Sequence, residues 1–543
     1  MGVSAAATLM LHAPDRRSRA SMGRLHRSWL ITLILAAGSV AAQPVPQGEP
    51  EQINRYRPLD FTPFTAPLAE LKPETIAEVE DMLRRRSIDE LQAAMAGGAL
   101  TSETLTLVLL HRIRTHDDRL RSYISLNPRA LDDARVADRE RGAGQSRGPM
   151  HGIPISLKDN IDTAGPMHST AGAVILKDHV AKVDAPLVTA LKAAGAVILG
   201  KANLSELAGM VHQGNRMGGT SAVGGRAKNP YGDDFATSGS SSGSAVATAA
   251  LLAVASVGTE TSGSLLSPAA KNGVVAIKPT QGLVSNRGIL PVVTNNDTAG
   301  PVARSVRDAA RLLAAIDTVD VDYAGRLTIS GLSGKPVGVL AADILDDRNR
   351  QPLLQTAVSA LTLAGAQLRP ARIVKTPAWV DGVVFVKLLI GGIRHDLMPG
   401  MVARGAATRT PEELIAWMQS DAKARMPFGA ETLISMGPIS AGLTMAEHRA
   451  NAAAARKAAA AMLDTAFRAS QAEFLLSFEA VHSPLYATAG YPAVVIPIGV
   501  MPDGRPIPAG MTLIGKPGAD AALLSAAFAF EQASLARIPP AGL

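Results

Sequence analysis

Residues 237–245 read TSGSSSGSA and residues 258–268 read GTETSGSLLSP. The apolar stretch that joins them, 245–257, is long enough for one helix and little else, so both hydroxyl-rich loops must return to the same place in the fold. Glycine and serine let backbone approach a substrate closely and take turns that larger residues resist. Alone, such runs read equally as plain turns or flexible connectors. A third stretch changes that reading: HGIPISLKDNI at 151–161 sets Lys158 directly after an apolar, strand-like run. Acyl transfer requires a serine oxygen, a group to take its proton, and N–H groups aimed at the developing oxyanion. The three stretches together offer candidates for each of these.

From Gly148 onward, short apolar runs alternate with helical segments and glycine turns. Strands are expected at 153–157, 196–199, 253–257, 274–277, 337–340 and 493–498, and helices at 185–194, 204–210, 244–252, 305–316 and 352–364. That rhythm predicts an α/β fold with a largely parallel or mixed sheet covered by helices on both faces. A chain of 543 residues need not split to form one, and 47% hydrophobic against 19% charged residues suits a large core and excludes disorder. Aromatics are only 3%, and the lysines and arginines behind the net charge of +7 are scattered rather than striped. No nucleic-acid partner is expected. Cysteine is absent, which excludes disulfides, thiolate metal sites and a cysteine nucleophile.

The N-terminus carries its own signal. Arg24 and Arg27 precede a short apolar run, 29–37, and Val40, Ala41 and Ala42 offer small residues for cleavage. Residues 1–42 therefore read as a signal peptide removed after Ala42, with export to the periplasm or medium, although Met22 is an alternative start. The apolar run is too short to span a bilayer, so no stable membrane anchor is expected. Residues 43–86 read as an extended, proline-rich arm and a first helix, and 87–543 as the main domain. Ser87 and Glu90 have capping-box spacing, and Leu105, Leu109 and Ile113 form one helical stripe. Residues 376–470 break the strand rhythm as a helical insertion, with a clear helix start at Thr410 and Pro411. It reads either as a wall of a substrate pocket or as a peripheral cap.

The segments 151–161, 195–206 (GAVILGKANLSE), 229–249, 258–279, 490–499 (GYPAVVIPIG) and 513–533 follow one another as in the amidase signature hydrolases, and the chain resembles that family from about Leu100 to its C-terminus. The resemblance implies a single α/β domain with one large mixed, mostly parallel sheet. It also implies a Ser-cisSer-Lys triad: Ser264 as nucleophile, Ser240 as bridging serine after a cis Gly239–Ser240 bond, and Lys158 as general base. The backbone N–H groups of Thr261, Ser262 and Gly263 match the family's oxyanion hole, and no metal or cofactor is implied. A lysine accepts a proton only when neutral, so Lys158 must titrate well below about 10.4, and apolar Ile153, Ile155 and Leu157 suggest the burial that achieves this.

Two departures bear on the substrate. Many relatives carry Gly-Gly-Ser at the nucleophile, whereas this chain has Ser262, Gly263 and Ser264, similar to the bacterial peptide amidase branch. Many also carry arginine two residues beyond, where this chain has Leu266, which removes a partner for a substrate carboxylate. The resemblance thus implies a serine amidase for a C-terminal peptide amide or a similar uncharged amide. The alternatives are an aryl acylamidase, a fatty amide hydrolase and an amidotransferase A-type subunit. The expected partner is a peptide or small-molecule amide. A different serine pattern is also present: GSSSG at 239–243 satisfies G-x-S-x-G, with Ser241 as nucleophile and His482 as a later base. That motif demands an entering strand, and polar 228–237 does not read as one. His151 is expected to serve a turn and Asp159 to bond local backbone.

Overall fold

The computed structural model of the chain describes residues 56–212, 218–345, 350–376, 379, 383–502 and 504–543. The expected signal peptide and the start of the arm lie outside them. All the described residues fall in one unit, Ile53–Leu543. In chain order the strands are β1 (Tyr123–Leu126), β2 (Pro154–Lys158), β3 (Val197–Ala202), β4 (Thr220–Ser221), β5 (Gly225–Arg226), β6 (Ala255–Glu260) and β7 (Val275–Lys278). There follow β8 (Thr298–Ala303), β9 (Pro336–Val339), β10 (Gln367–Pro370), β11 (Phe474–Phe478), β12 (Ala493–Val500) and β13 (Pro508–Ile514). The helices that matter for the site are α1 (Ser102–Leu120), α2 (Ser242–Ala249), α3 (Leu266–Lys271), α4 (Met445–Ser470) and α5 (Ser483–Ala489).

Eleven strands form one mixed sheet in the order β1-β3-β2-β6-β8-β7-β12-β13-β11-β9-β10, while β4 and β5 pair separately. Parallel pairing joins β3, β2 and β6 at one side and β11, β9 and β10 at the other. The strands between them pair antiparallel. Both faces are covered, and the sequence shows why. In β7, Val275 and Ile277 enter one core cluster while Ala276 enters another; in β12, Val494 and Ile496 part from Ala493 and Val495 in the same way. Successive side chains alternate faces, so a strand that is apolar at every position must be buried on both. No described helix is long and apolar enough to cross a membrane.

The expected strands and most of the expected helices form close to their predicted bounds, including the reciprocal Ser87–Glu90 capping box and the helix capped by Thr410. Two stretches differ. The arm turns helical already at Thr62–Phe64 and Thr65–Glu70, ahead of the expected first helix, Pro73–Arg85, because Phe64 and Leu68 join Val79 and Leu83 in the main core. The helix expected over 204–210 is a 3-10 turn, Glu206–Gly209, with Leu207 and Ala208 at φ 47° and 56°. Its backbone bonds outward: the Leu207 N–H donates to the Ala171 carbonyl at 2.9 Å, which competes with a helical i−4 bond.

Buried Arg112 on α1 fixes the far end of α2. Its guanidinium donates to the Leu251 carbonyl at 2.9 Å and the Ala250 carbonyl at 3.0 Å and pairs with Glu80 at 2.6 Å. These carbonyls follow the last turn of a helix and have few other partners. Arg112→Met is expected to destabilise the protein by about 3 kcal/mol, because it removes one of the two arginines paired with half-buried Glu80 and strands two carbonyls. Denaturant titration of the two proteins checks this.

Candidate active site

Strands β2 and β6 run parallel with Leu157 beside Val257, which sets Lys158, the last residue of β2, close to Thr259 near the end of β6. Lys158 is fully buried. Its Nζ lies 2.7 Å from Ser240 Oγ, 2.9 Å from Thr259 Oγ1 and 3.1 Å from the Thr259 carbonyl oxygen. Asn160 Nδ2 donates to Thr259 Oγ1 at 3.0 Å and steadies that hydroxyl. Burial pushes the Lys158 amine down to about 7, against the opposing pull of the Asp297 and Glu260 carboxylates. A neutral amine has two hydrogens and one lone pair. The two Thr259 oxygens accept the hydrogens, which leaves the lone pair for the Ser240 hydroxyl.

The hydroxyl-rich loops do meet. The Ser241 N–H donates to the Ser264 carbonyl at 3.0 Å, and the Gly239–Ser240 peptide bond is cis. Ser240 is buried, and its carbonyl accepts the Ser205 N–H at 3.1 Å. Ser264 is half-buried, and among the described residues its hydroxyl has no hydrogen-bond partner. The structure therefore brings Lys158 onto Ser240 directly, while Ser264 is held alongside through its backbone.

Glu260 and Gly263 shape the turn that carries Ser264. Glu260 Oε2 accepts the N–H groups of Leu265 at 2.9 Å and Leu266 at 3.2 Å, capping the start of α3. Gly263 has φ 80°, and a Cβ there would stand 2.9 Å from Ser483 Oγ. The N–H groups of Thr261, Ser262, Gly263 and Ser264 donate to no protein acceptor among the described residues. Four successive unpaired donors on a turn beside a serine form a cradle for an oxyanion. Leu266 is fully buried in an apolar cluster with Leu265, Tyr486 and Leu485, a setting that suits leucine and would strand a guanidinium.

The other serine pattern is not assembled. Ser241 Oγ donates to the Thr259 carbonyl at 2.9 Å and accepts the Thr259 N–H at 3.1 Å, so it fastens α2 to β6. His482 Nδ1 pairs with Ser477 Oγ at 2.6 Å. His482→Ala is expected to leave amide turnover near normal, and a large loss would restore the alternative. His151 bonds the Ala137 carbonyl at 2.9 Å through Nε2. Asp159 Oδ2 accepts the Thr170 N–H at 3.0 Å and its Oδ1 lies 3.8 Å from buried Lys201, so both residues brace the turns around β2.

Sequence reading missed Asn160, Thr259, Glu260 and Asp297 as members of this cluster. Thr259 and Glu260 lie inside the 258–268 stretch, and two successive polar residues at the end of β6 were the available signal. Asp297 lies 36 residues from Thr261, whose hydroxyl its Oδ1 accepts at 2.5 Å. The insertion packs against the surroundings of the site: Leu388, Ile393 and Leu397 share a cluster with Ala171, Leu207, Val292 and Val293.

A family model described as Amidase matches residues 104–524, which makes this chain a hydrolase of amide C–N bonds. It belongs to the amidase family. An Arabidopsis thaliana protein described as a probable amidase is 32% identical over 84% of this chain and 92% of its own length. The glutamyl-tRNA(Gln) amidotransferase A subunit of Cenarchaeum symbiosum is 31% identical over 84% of this chain and 98% of its own. The crystal structure of native peptide amidase from Stenotrophomonas maltophilia superposes with a TM-score of 0.78 at 39% identity, covering 84% of this chain and 98% of that one.

Proposed function

We propose that the chain is a serine amidase that cleaves a C-terminal peptide amide, or a similar uncharged amide, through an acyl-serine intermediate. The observation that carries this reading is the 2.7 Å contact between Ser240 and a buried amine whose other two contacts are acceptors. Neutral Lys158 takes the Ser240 proton as Ser240 Oγ takes that of Ser264, and Ser264 Oγ attacks the amide carbon. The negative oxygen enters the Thr261–Ser262–Gly263 turn, where each N–H donor stabilises it by roughly 3 kcal/mol. Collapse of the tetrahedral species breaks the C–N bond, and the relay returns a proton to the departing ammonia or amine. Water then adds to the acyl-serine, gives its proton to the same relay and releases the acid. Ammonia accompanies the acid from a primary amide, and an amine from a secondary one.

Similarity to the Stenotrophomonas peptide amidase and the apolar burial of Leu266 support an uncharged substrate. The amidotransferase relatives favour a second reading, in which glutamine is the amide donor and ammonia passes to a partner. A panel of peptide amides, aryl anilides, fatty amides and free glutamine tests both. Peptide amides are expected to give the highest kcat/KM, and glutamine as the best substrate would overturn the choice. The signal-like N-terminus adds a further proposal, export after cleavage at Ala42, which N-terminal sequencing of the secreted protein checks.

A further inference from the structure

The turn that carries Ser264 is tethered by side chains at both ends. Glu260 holds its downstream end through the Leu265 and Leu266 N–H groups. At the upstream end stands Asp297, which is 5% exposed and immediately precedes β8. Strands β6 and β8 are antiparallel with Glu260 opposite Thr298, so Thr261 and Asp297 face each other just beyond the paired residues. The two carboxylate oxygens of Asp297 divide their work. Oδ1 accepts the Thr261 hydroxyl at 2.5 Å, and Oδ2 accepts the N–H groups of Val292 at 2.8 Å and Val293 at 3.1 Å.

The same short turn is gripped from the insertion. Val292 and Val293 pack with Leu388, Leu389 and Ile393, and the Thr294 N–H donates to Asp396 Oδ2 at 3.2 Å. Asp396 in turn pairs with His448 of α4 at 3.1 Å. Asp297 therefore connects the insertion to the first residue of the oxyanion turn. The downstream half of the turn is also anchored by its backbone, since the Gly263 carbonyl accepts the Ser267 N–H at 2.8 Å and the Ser264 carbonyl the Ser241 N–H at 3.0 Å, whereas Thr261 at the upstream end is tethered through its side chain.

We infer that Asp297 is a positioning residue for the oxyanion turn, acting through the Thr261 hydroxyl, and that it makes the alignment of the N–H donors depend on the seating of the helical insertion. This rests on the acyl-serine reading above. Displacing donors by a fraction of an ångström weakens transition-state stabilisation more than substrate binding. Loss of the bracket is thus expected in kcat, with KM little changed. Asn at 297 would turn an amide group toward either the two valine N–H groups or the threonine hydroxyl, so it cannot satisfy all three donors at once.

The test compares Asp297→Asn, Thr261→Val and Thr261→Ser in the full-length protein on one peptide amide, with a peptide aldehyde as a mimic of the tetrahedral adduct. Asp297→Asn and Thr261→Val are expected to lower kcat by about 10- to 100-fold with similar KM, and to weaken the aldehyde by a similar factor while the product acid binds as before. Thr261→Ser, which keeps the hydroxyl, recovers most of the kcat lost in Thr261→Val. Should Asp297→Asn fail to fold, the Thr261 pair alone decides. Wild-type kcat in Thr261→Val overturns the inference, as does an equal loss in the valine and serine variants. Ser264→Ala run in parallel separates the two claims: activity that survives it refutes the acyl-serine reading itself, whereas a dead Ser264→Ala beside a fully active Thr261→Val refutes only the bracket.

Discussion

Ser264→Ala is expected to lower amide turnover by about 10,000-fold or more, since removal of a serine nucleophile leaves only binding and oxyanion stabilisation to act on water. The substitution removes one half-buried oxygen that has no hydrogen-bond partner among the described residues. Folding should therefore be untouched, and the thermal midpoint should match that of the parent. Binding of the product acid should also persist, because the turn and the walls around it stay in place. Ammonia release from a peptide amide, followed over hours against the parent enzyme, measures the loss. Substantial turnover in Ser264→Ala would transfer the nucleophile to another group and dissolve the proposed relay.

Lys158→Met is expected to cost about 1,000-fold in kcat/KM and, more diagnostically, to erase a pH limb. Burial holds the Lys158 amine near 7, and only its neutral form accepts the Ser240 proton. The sign follows: in the parent enzyme log kcat/KM should rise with pH up to about 7 and level off above it, as the protonated fraction disappears. Methionine has no proton to lose, so the residual activity of the variant should not show that rise. Methionine fills the buried space but donates nothing to Ser240 or the Thr259 oxygens, so the thermal midpoint of the variant is compared with that of the parent alongside the kinetics. A rise with unchanged midpoint in Lys158→Met would assign the limb to another group. Asp297 is the first such group to consider, because burial pushes its carboxyl up to about 7 as well.

The parts of this site that could be read from sequence are those whose chemistry is local. Lys158 closes β2 after a largely apolar run, Ser240 lies in a run of serines just before a helix, and Ser264 closes a glycine turn; each announces itself within a few residues. Strand β8 does not. It reads TAGPVA, with Gly300 and Pro301 in its middle, and proline in a central strand argues against pairing. The structure nonetheless pairs Pro301 with Val257, and a Cβ at Gly300 would stand 1.9 Å from the Ile277 carbonyl oxygen. Close approach of β7 is what demands glycine there, and only the assembled sheet displays that approach. Asp297 was illegible for the same reason, since its partner across β6 and β8 is fixed by register. The turn at Glu206–Gly209 misled because LSELAGM has helical composition, while its backbone is claimed by a neighbouring loop.

Lys158 and Thr259 emerge from adjacent parallel strands, and the spacing between them is set by the ladder that pairs Ile155 with Ala255 and Leu157 with Val257. The insertion, by contrast, meets the site through side-chain packing and a few polar contacts at its margin. The proposed proton relay thus rests on a hydrogen-bonded strand ladder, and the insertion on side-chain packing. On the reading of the insertion as a pocket wall, its residues can be exchanged to admit another acyl group without retuning the amine, provided that the grip on Val292 and Val293 is kept. Grafting the 383–470 helices of a relative onto this sheet should thus carry specificity across while leaving the pH profile of the recipient in place.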